Sequence, residues 1–377
     1  MSESGEIKEI AKLFLKLGVI GFGGPAAHLA MMKNEVVTQR KWLTEQHFLD
    51  LMGATNLIPG PNSTEMAIHI GHERGGWKGL IVAGICFILP AVLITGIFAW
   101  LYKLYGQLPQ IQPFVYGIKP AIIAIILAAI YPLSRKSLKT TELGIIGVAA
   151  LTLSLLHFNE ILVMFGAGFF LMFRTAIRNR TSGNTAASFF PLTLVQASGA
   201  ALISSANLNL FLVFLKIGAI LYGSGYVLFA FLDAELVSNG LLTRGQLIDA
   251  IAVGQFTPGP VFSSVTFIGY QINGLTGAIV STIGIFLPSF VFVALLNPLV
   301  RKMRNSTLFS AFLDAVNVAS VAIILSICFQ MGQDSISDWR TILIAAASLL
   351  LTFGFRKINS ALIVIGGSLA GYVLTLI

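Results

Sequence analysis

The sequence predicts an all-α polytopic membrane protein made of two homologous halves with inverted topology. Of its 377 residues, 56% are hydrophobic and only 11% are charged, and the mean hydropathy is +0.85. Soluble domains carry roughly a quarter charged residues, which excludes a soluble enzyme. Apolar runs long enough to cross a hydrocarbon core of ~30 Å recur along the chain, and the chain repeats itself at a nearly constant offset.

Helices are the economical interpretation of the apolar runs, because every backbone polar group in lipid must be paired and no alternating barrel pattern is present. We expect an N-terminal half over 1–180, a linker over 181–208 and a C-terminal half over 209–377. The predicted segments of the first half cover 10–32, 48–72, 77–102, 111–132, 143–157 and 160–177. Those of the second half cover 209–236, 246–272, 274–299, 309–331, 340–354 and 358–376.

Short matched strings reveal the repeat. Phe14-Leu-Lys-Leu-Gly18 returns as Phe214-Leu-Lys-Ile-Gly218, and Pro59-Gly-Pro61 returns as Pro258-Gly-Pro260. The offset stays between 197 and 200 residues over more than a hundred positions. The two halves are therefore homologous.

The loop charges indicate how the halves are oriented. If the Pro-Gly-Pro segments span the membrane, the halves are parallel and Lys and Arg split 11 to 10 between the two sides. If these segments are re-entrant, each half crosses five times, the halves are inverted and the split is 16 to 5, as the positive-inside rule favours. A variant, in which the first segment is also re-entrant and the linker crosses, gives 18 to 3. Both inverted schemes place six basic clusters in the cytoplasm: 33–41, 74–78, 135–139, 174–180, 301–304 and 356–357.

The Pro-Gly-Pro strings are the first candidate substrate site. Proline cannot continue a helix, and interrupted segments in corresponding positions of two halves point to a transporter binding site. Each string is followed by a half-helix with hydroxyl residues in its first turn, where free amides, the helix dipole and hydroxyl donors suit an oxyanion. The alternative is that Ser and Thr only cap the half-helices. The candidate ligands are Gly60, Asn62, Ser63, Thr64, Gly259, Ser263 and Ser264.

The string Gly21-Phe-Gly-Gly-Pro25 formally matches a dinucleotide-binding pattern, but the βαβ unit that this pattern requires is not predicted here. We therefore expect no nucleotide site. Gly23 and Gly24 either bend a helix and present backbone amides to the substrate or let helices pack closely.

Three lysines within apolar segments are further candidate anion ligands, because a lysine in lipid usually faces a cavity or a partner. They are Lys16, its repeat mate Lys216, and Lys119. Lys16 and Lys216 lie near the starts of their segments, where snorkelling to the head groups is the simpler explanation. Lys119 lies nearer the middle of its segment and before a proline, which favours a place on the transport pathway.

Glu65 and His69 are four residues apart on the half-helix after the first Pro-Gly-Pro and so share a face. Such a pair could exchange a proton during transport, and the alternative is a local pair that neutralises a buried Glu. The second half has Ser264 and Ile268 at these positions, so only one half would carry coupling. The cysteines and other histidines show no metal-ligand spacing, and we expect no metal, cofactor or catalytic triad.

The motifs resemble the chromate ion transporter family in its fused, two-half form. The resemblance rests on Phe22-Gly-Gly-Pro25, on Pro59-Gly-Pro61 followed by Gly71 and Gly79, and on the repeat at 258–260 followed by Gly269 and Gly277. It covers about 13–132 and 211–331. The second half departs from it with Tyr222-Gly-Ser-Gly225, so the role of Phe-Gly-Gly-Pro is carried only onto 22–25.

The resemblance implies chromate resistance by efflux of the chromate dianion across the cell (inner) membrane, with sulfate as a related oxyanion and protons or exchange as the driving force. The predicted function is therefore a secondary active oxyanion transporter, not an enzyme. An oxyanion channel or a sulfate uptake permease of the same fold is the alternative. The net charge of +8 does not indicate nucleic acid, because Lys and Arg lie in short groups between apolar runs. Gly367-Ser-Leu-Ala-Gly371 is a candidate face for a homodimer.

Overall fold

The computed structural model describes residues 3–22, 24–181, 205–223, 225–304, 306–354 and 358–377, and the regular elements within these ranges are all helices. The first half contains α1 (Glu3–Ile20), α2 (Gly24–Lys33), α3 (Glu45–Thr55), α4 (Asn62–Tyr105), α5 (Gln112–Ser137), α6 (Thr141–Leu155) and α7 (Glu160–Thr181). The second half contains α8 (Ser205–Ile220), α9 (Val227–Leu232), α10 (Arg244–Phe256), α11 (Ser264–Arg304), α12 (Thr307–Ser335), α13 (Trp339–Gly354) and α14 (Ser360–Thr375). The all-α, two-repeat prediction is confirmed.

Two of the helices, α4 and α11, turn back on themselves. Non-helical backbone at Gly75–Gly76 divides α4 into a short arm (62–74) and a long arm (77–105), and Asn273–Gly274 divides α11 in the same way. The two arms of α4 approach so closely that a Cβ on Gly71 would lie 2.3 Å from the carbonyl oxygen of Gly79. Glycine at these motif positions therefore allows the arms to pack antiparallel.

Each half contains two re-entrant hairpins. The Pro-Gly-Pro hairpin joins α3 to the short arm of α4 in the first half and α10 to the short arm of α11 in the second. The predicted continuous segments at 10–32 and 209–236 are wrong, because α1 ends at Ile20 and α2 begins at Gly24, and because α8 and α9 are separated in the same way. The glycine-rich strings break these helices, and the chain then folds back: Lys16 on α1 lies 2.6 Å from Glu35, just after α2.

Corresponding helices of the two halves run in opposite directions. The long arm of α4 runs parallel to the short arm of α11, because Thr95 bonds to Ser263 (3.3 Å) and, further along both, the Ala99 carbonyl accepts from Gln271 (3.0 Å). The short arm of α11 is antiparallel to its own long arm. The two long arms are therefore antiparallel, and the predicted inverted topology is confirmed.

The helical bundle has two faces, which we name by their turns. The first face contains the α4 turn at Gly75–Gly76, and the second face contains the α11 turn at Asn273–Gly274. Five of the six predicted cytoplasmic clusters lie at the first face. Three occupy the ends of helices that cross from the second face: 135–139, 174–180 and 301–304. The cluster 74–78 forms the α4 turn itself, and 33–41 lies beside it, since Arg40 and Arg74 both lie over the Trp42 ring. The cluster at 356–357 lies outside the described residues.

Residues on the two sides of positions 182–204, most of the predicted linker, lie on opposite faces. At the end of α7, Asn179 donates a hydrogen bond to Thr307 at the first face, with 3.4 Å between the atoms. At the start of α8, Asn207 accepts a hydrogen bond from Asn273 at the second face. In the scheme with an 18 to 3 split of Lys and Arg, the linker crosses the membrane, so its two ends must lie on opposite faces, as they do here. Positions 182–204 themselves lie outside the described residues.

The halves exchange helices, so each packs largely against the other. Helix α5 packs against α13 and α14, and its repeat mate α12 packs against α6 and α7. Gly367 and Gly371 lie in the contact between α14 and α5, since a Cβ on Gly117 of α5 would lie 2.1 Å from the Gly367 carbonyl oxygen. The expectation that this motif forms a dimer face is wrong, because α5 already covers it.

Five stretches of the described residues are long and apolar enough to cross a membrane: 62–105, 112–137, 160–179, 261–295 and 307–335. Exposed leucines on the outside of the bundle, such as Leu162 and Leu350, suit contact with lipid. The chain is a multi-pass membrane protein.

Candidate functional site

The four helix breaks meet at the centre of the bundle through two hydrogen bonds that cross between the halves. The Gly60 amide of the first Pro-Gly-Pro donates to the Leu221 carbonyl (2.8 Å), and the Gly259 amide of the second donates to the Gly21 carbonyl (2.7 Å). The expectation that these two amides are free to bind an anion is therefore wrong. A buried amide needs a partner, and the opposite half supplies it.

Glycine is required at both positions. Gly60 has φ +134° and Gly259 has φ +90°, which L side chains rarely adopt. A Cβ on Gly60 would lie 2.6 Å from Ser289 Oγ, and one on Gly259 would lie 2.8 Å from the Cβ of Ala91. Ser289 and Ala91 are repeat mates on the long arms. Each Pro-Gly-Pro turn thus packs tightly on the long arm of the other half.

A small cavity of about 30 Å³ lies beside this junction, with room for about two water molecules. Two of its polar groups are Gln255 Nε2 and Thr257 Oγ1, which are buried and have no hydrogen-bond partner among the described residues. Neither residue was predicted as a ligand, although Thr257 directly precedes Pro258 and Gln255 lies three residues before it. The lining residues are Gly21, Gly24, Tyr226, Gly254, Gln255, Thr257, Gly259, Val261 and Ser360.

The predicted hydroxyl ligands are all buried beside the Pro-Gly-Pro turns. Within the described part of the chain, Thr64 Oγ1 and Ser264 Oγ have no hydrogen-bond partner, so they do not cap their helices. Ser263 accepts a hydrogen bond from Thr95, and Ser63 is buried as well. Asn62 is different, because its amide donates to the exposed Asn56 (2.9 Å).

Glu65 is fully buried and points away from His69. Ser289 Oγ lies 3.5 Å from Glu65 Oε1 across the interface between the halves, and Tyr222 lies near enough to interact electrostatically with this carboxyl. Glu65 Oε2 and both ring nitrogens of His69 lack hydrogen-bond partners in the described residues. The expected local pair is therefore not hydrogen-bonded, because the Glu65 side chain turns toward α11.

Lys16 and Lys216 form matched ion pairs. Lys16 lies 2.6 Å from Glu35 and Lys216 lies 2.7 Å from Glu235, so each pair joins the two arms of the first hairpin in its half. The lysine side chains are 53% and 50% exposed. Glu35 and Glu235 were missed by the sequence analysis, although their offset of 200 residues marks them as repeat mates.

Lys119 has a different environment. Its Nζ faces α10, where a Cβ on Gly245 would lie 3.4 Å away, and it acts electrostatically on Asp249 one turn further on. Asp249 is 6% exposed and accepts a hydrogen bond from the Tyr102 hydroxyl (2.6 Å). Sequence reasoning did not identify Asp249 or Tyr102.

The glycine-rich string gave two predicted ligands, Gly23 and Gly24. Gly23 lies outside the described residues, whereas Gly24 lines the central cavity. A search of the described residues finds no group of three His, Cys, Asp or Glu that could hold a metal ion. The chemistry that the centre offers is therefore that of neutral donors, with one buried carboxyl nearby.

Comparison with known proteins gives full-length matches. The family described as "Chromate transporter" matches residues 8–172 and again 208–372. The chain is 31% identical over 374 residues to the chromate transport protein of Cupriavidus metallidurans, covering 97% of this chain and 93% of that protein. It is 30% identical to the probable chromate transport protein of Synechococcus elongatus, with 97% and 95% covered. No solved structure matches the chain significantly.

Proposed function

This chain belongs to the chromate transporter family, and we propose that it is a secondary active transporter that expels the chromate dianion across the cell membrane, with sulfate as a related substrate. The observation that carries the proposal is the junction of four helix breaks at the centre of two inverted halves. Broken helices at a repeat interface form the binding sites of secondary transporters. Both hairpins of the first half reach this junction from the first face, and both hairpins of the second half reach it from the second face.

The anion binds at the cavity beside Gly259. Gln255 Nε2, Thr257 Oγ1 and Ser264 Oγ are buried donors without partners in the described chain, and a dianion satisfies them. Thr64 Oγ1 supplies a further donor from the first half. A site of neutral donors and helix ends holds a tetrahedral dianion by hydrogen bonds and dipoles, without a counter-ion that would slow its release.

The residue that couples transport to protons is Glu65, the repeat mate of Ser264. The repeat that relates the halves makes Glu65 equivalent to Ser264. It also makes Asn56 equivalent to Gln255 and Ile58 equivalent to Thr257. One side of the junction therefore carries the donors and the other a buried carboxyl. A deprotonated Glu65 repels a dianion in the dry centre, so anion binding favours the protonated carboxyl. His69, one turn along the same arm, is not hydrogen-bonded to Glu65 in the described residues, so Glu65 is the proton-binding residue of this proposal.

Movement of one half against the other opens the site alternately to each face. The hydrogen bonds from Gly60 and Gly259 connect each Pro-Gly-Pro turn to the first hairpin of the other half, so the breaks move together. With a negative interior, each expelled negative charge gains ~2.3 kcal/mol per 100 mV. The membrane potential thus favours efflux of a dianion.

Uptake of labelled chromate into inside-out vesicles tests the proposal. We expect accumulation above the external concentration in energised vesicles that contain the chain, with competition by sulfate and molybdate and weaker competition by phosphate. Chromate uptake that stops at equal concentrations inside and outside the vesicles would favour an oxyanion channel. Preferential sulfate accumulation in right-side-out vesicles would favour an uptake permease. Vesicles with G259A, in which the junction is disrupted, are the matched control.

A further inference from the structure

Lys119, Asp249 and Tyr102 form a partly buried polar cluster outside the central cavity. Tyr102 lies on the long arm of α4, Lys119 on α5 and Asp249 on α10, so the cluster joins two first-half helices to a hairpin of the second half. Its repeat-related positions do not form a second copy, since Lys119 corresponds to Asn317 and Asp249 to the less buried Asp50.

The cluster lies between the central cavity and the second face. Asp249 is six residues before Gln255 on α10, a distance of about 9 Å along the helix axis. Helix α10 begins at the second face with Arg244. An anion that moves between the centre and this face along α10 therefore passes Lys119 and Asp249.

The polar atoms of the cluster are incompletely satisfied. Tyr102 donates to Asp249 Oδ2 (2.6 Å), while the buried Oδ1 has no hydrogen-bond partner among the described residues. Lys119 acts on Asp249 electrostatically, but in the part of the chain that the structure describes the two form no salt bridge. An ammonium and an unpartnered carboxyl oxygen thus flank the same stretch of α10.

Other charged groups around α10 are already engaged. At the start of α10, Arg244 binds Asp233 and Asp334 (2.9 Å each), and Glu235 pairs with Lys216. Lys103 on α4 lies over the Tyr270 ring of α11, and Tyr372 of α14 stacks on Phe114. Tyr102 and Lys119 are therefore the groups that act on Asp249.

Protonation of Asp249 would change what this cluster can bind. As a carboxylate, Asp249 neutralises Lys119 and repels an approaching anion. With a proton on Oδ1, it becomes a hydrogen-bond donor near the lysine, and the pair presents one positive charge and two kinds of donor. A tetrahedral dianion has the acceptors to bind both groups at once.

We infer that Lys119 and Asp249 form a second oxyanion subsite, on the second-face side of the central cavity, which a dianion occupies only together with a proton on Asp249. This subsite rests on the proposed transport of oxyanions and adds a proton-binding residue separate from Glu65.

Calorimetric titration of the purified full-length protein with chromate, and in parallel with sulfate, tests the subsite. Titrations in buffers of different ionisation enthalpy count the protons taken up per anion. We expect D249N to take up about one proton fewer than the wild-type protein and to show a weaker pH dependence of affinity, since only Glu65 then binds a proton with the anion. K119Q lowers affinity by about tenfold or more, because a charge-assisted hydrogen bond is lost, and K119R retains most of the affinity.

The matched control is D50N, the same change at the repeat-related position, which leaves proton uptake and affinity unchanged. Y102F removes a hydrogen-bond donor to the Asp249 carboxylate, so the carboxylate is protonated more easily and anion binding extends to higher pH. This variant replaces D249N as the test if D249N does not fold. Wild-type proton uptake in D249N, or an unchanged pH profile in Y102F, overturns the subsite while central binding persists. Absence of chromate and sulfate binding by the wild-type protein instead overturns the proposed function itself.

Discussion

The amide of Gly259 donates a hydrogen bond to the carbonyl oxygen of Gly21, 2.7 Å away in the opposite half of the chain. The repeat-related bond from Gly60 to Leu221 measures 2.8 Å. Together the two bonds hold four helix breaks at one place. Backbone that would be unpaired in each half alone is paired by the other half, which is how irregular segments are tolerated at membrane depth.

Substitution G259A tests whether this junction requires glycine. We expect loss of transport and a lower melting temperature, because the Cβ would lie 2.8 Å from the Cβ of Ala91 in addition to the strain of φ +90°. The control is G240A, where φ is +70° but no atom lies within 4 Å of the new Cβ, so only a strain of about 1 kcal/mol is expected. Equal melting temperatures for the two variants would refute tight packing at Gly259.

The double substitution S63A/T64A tests the hydroxyl ligands. Chromate affinity should fall by about tenfold, whereas the melting temperature should change little, since Thr64 Oγ1 has no hydrogen-bond partner among the described residues to lose. S154A removes another buried hydroxyl that has no partner in the described residues, and it lies on α6, away from the junction. Unchanged chromate binding in the double variant would exclude these hydroxyls from the site.

Glu65→Gln tests the proposed coupling. The neutral amide keeps the shape of a protonated carboxyl, so chromate binding should persist while the dependence of transport on a proton gradient falls to the part carried by Asp249. Transport in vesicles with and without an imposed pH gradient measures this. Glu35→Gln, at an ion pair remote from the junction, should keep the dependence on the gradient. If E65Q retains the full dependence, Glu65 does not carry a coupling proton.

Cysteine labelling tests the orientation of the two faces. In a background without Cys86 and Cys328, L138C should react only from the cytoplasm and G240C only from outside, because these exposed positions lie at the first and second face, respectively. The positive clusters at the first face predict its cytoplasmic side. Labelling of both positions from the same side would contradict inverted halves.

The sequence analysis predicted features that depend on periodicity and on proline. The repeat offset identifies equivalent residues, Pro-Gly-Pro must interrupt a helix, and charge counts distinguish inverted from parallel halves. These properties are local or additive, so no knowledge of packing is needed to find them.

Contacts between the halves could not be predicted in this way. The offset shows that Gly60 is equivalent to Gly259, but it does not show that each bonds to the other half. Likewise, Glu65 points to Ser289 on α11 and not to His69 on its own helix, since tertiary packing decides the side-chain direction. Asp249 lies in a helix with no unusual spacing, and only the approach of α4 and α5 makes it part of a site.

The most direct test of the central claim is an anomalous-scattering map at the chromium edge from crystals of the protein grown with chromate. We predict a chromium peak at the junction of the helix breaks, beside Gly24, with the chromate oxygens within hydrogen-bonding distance of Gln255 or Thr257. Loss of this peak with excess sulfate would identify a shared oxyanion site. A map with chromium bound elsewhere and none at the junction would contradict the account.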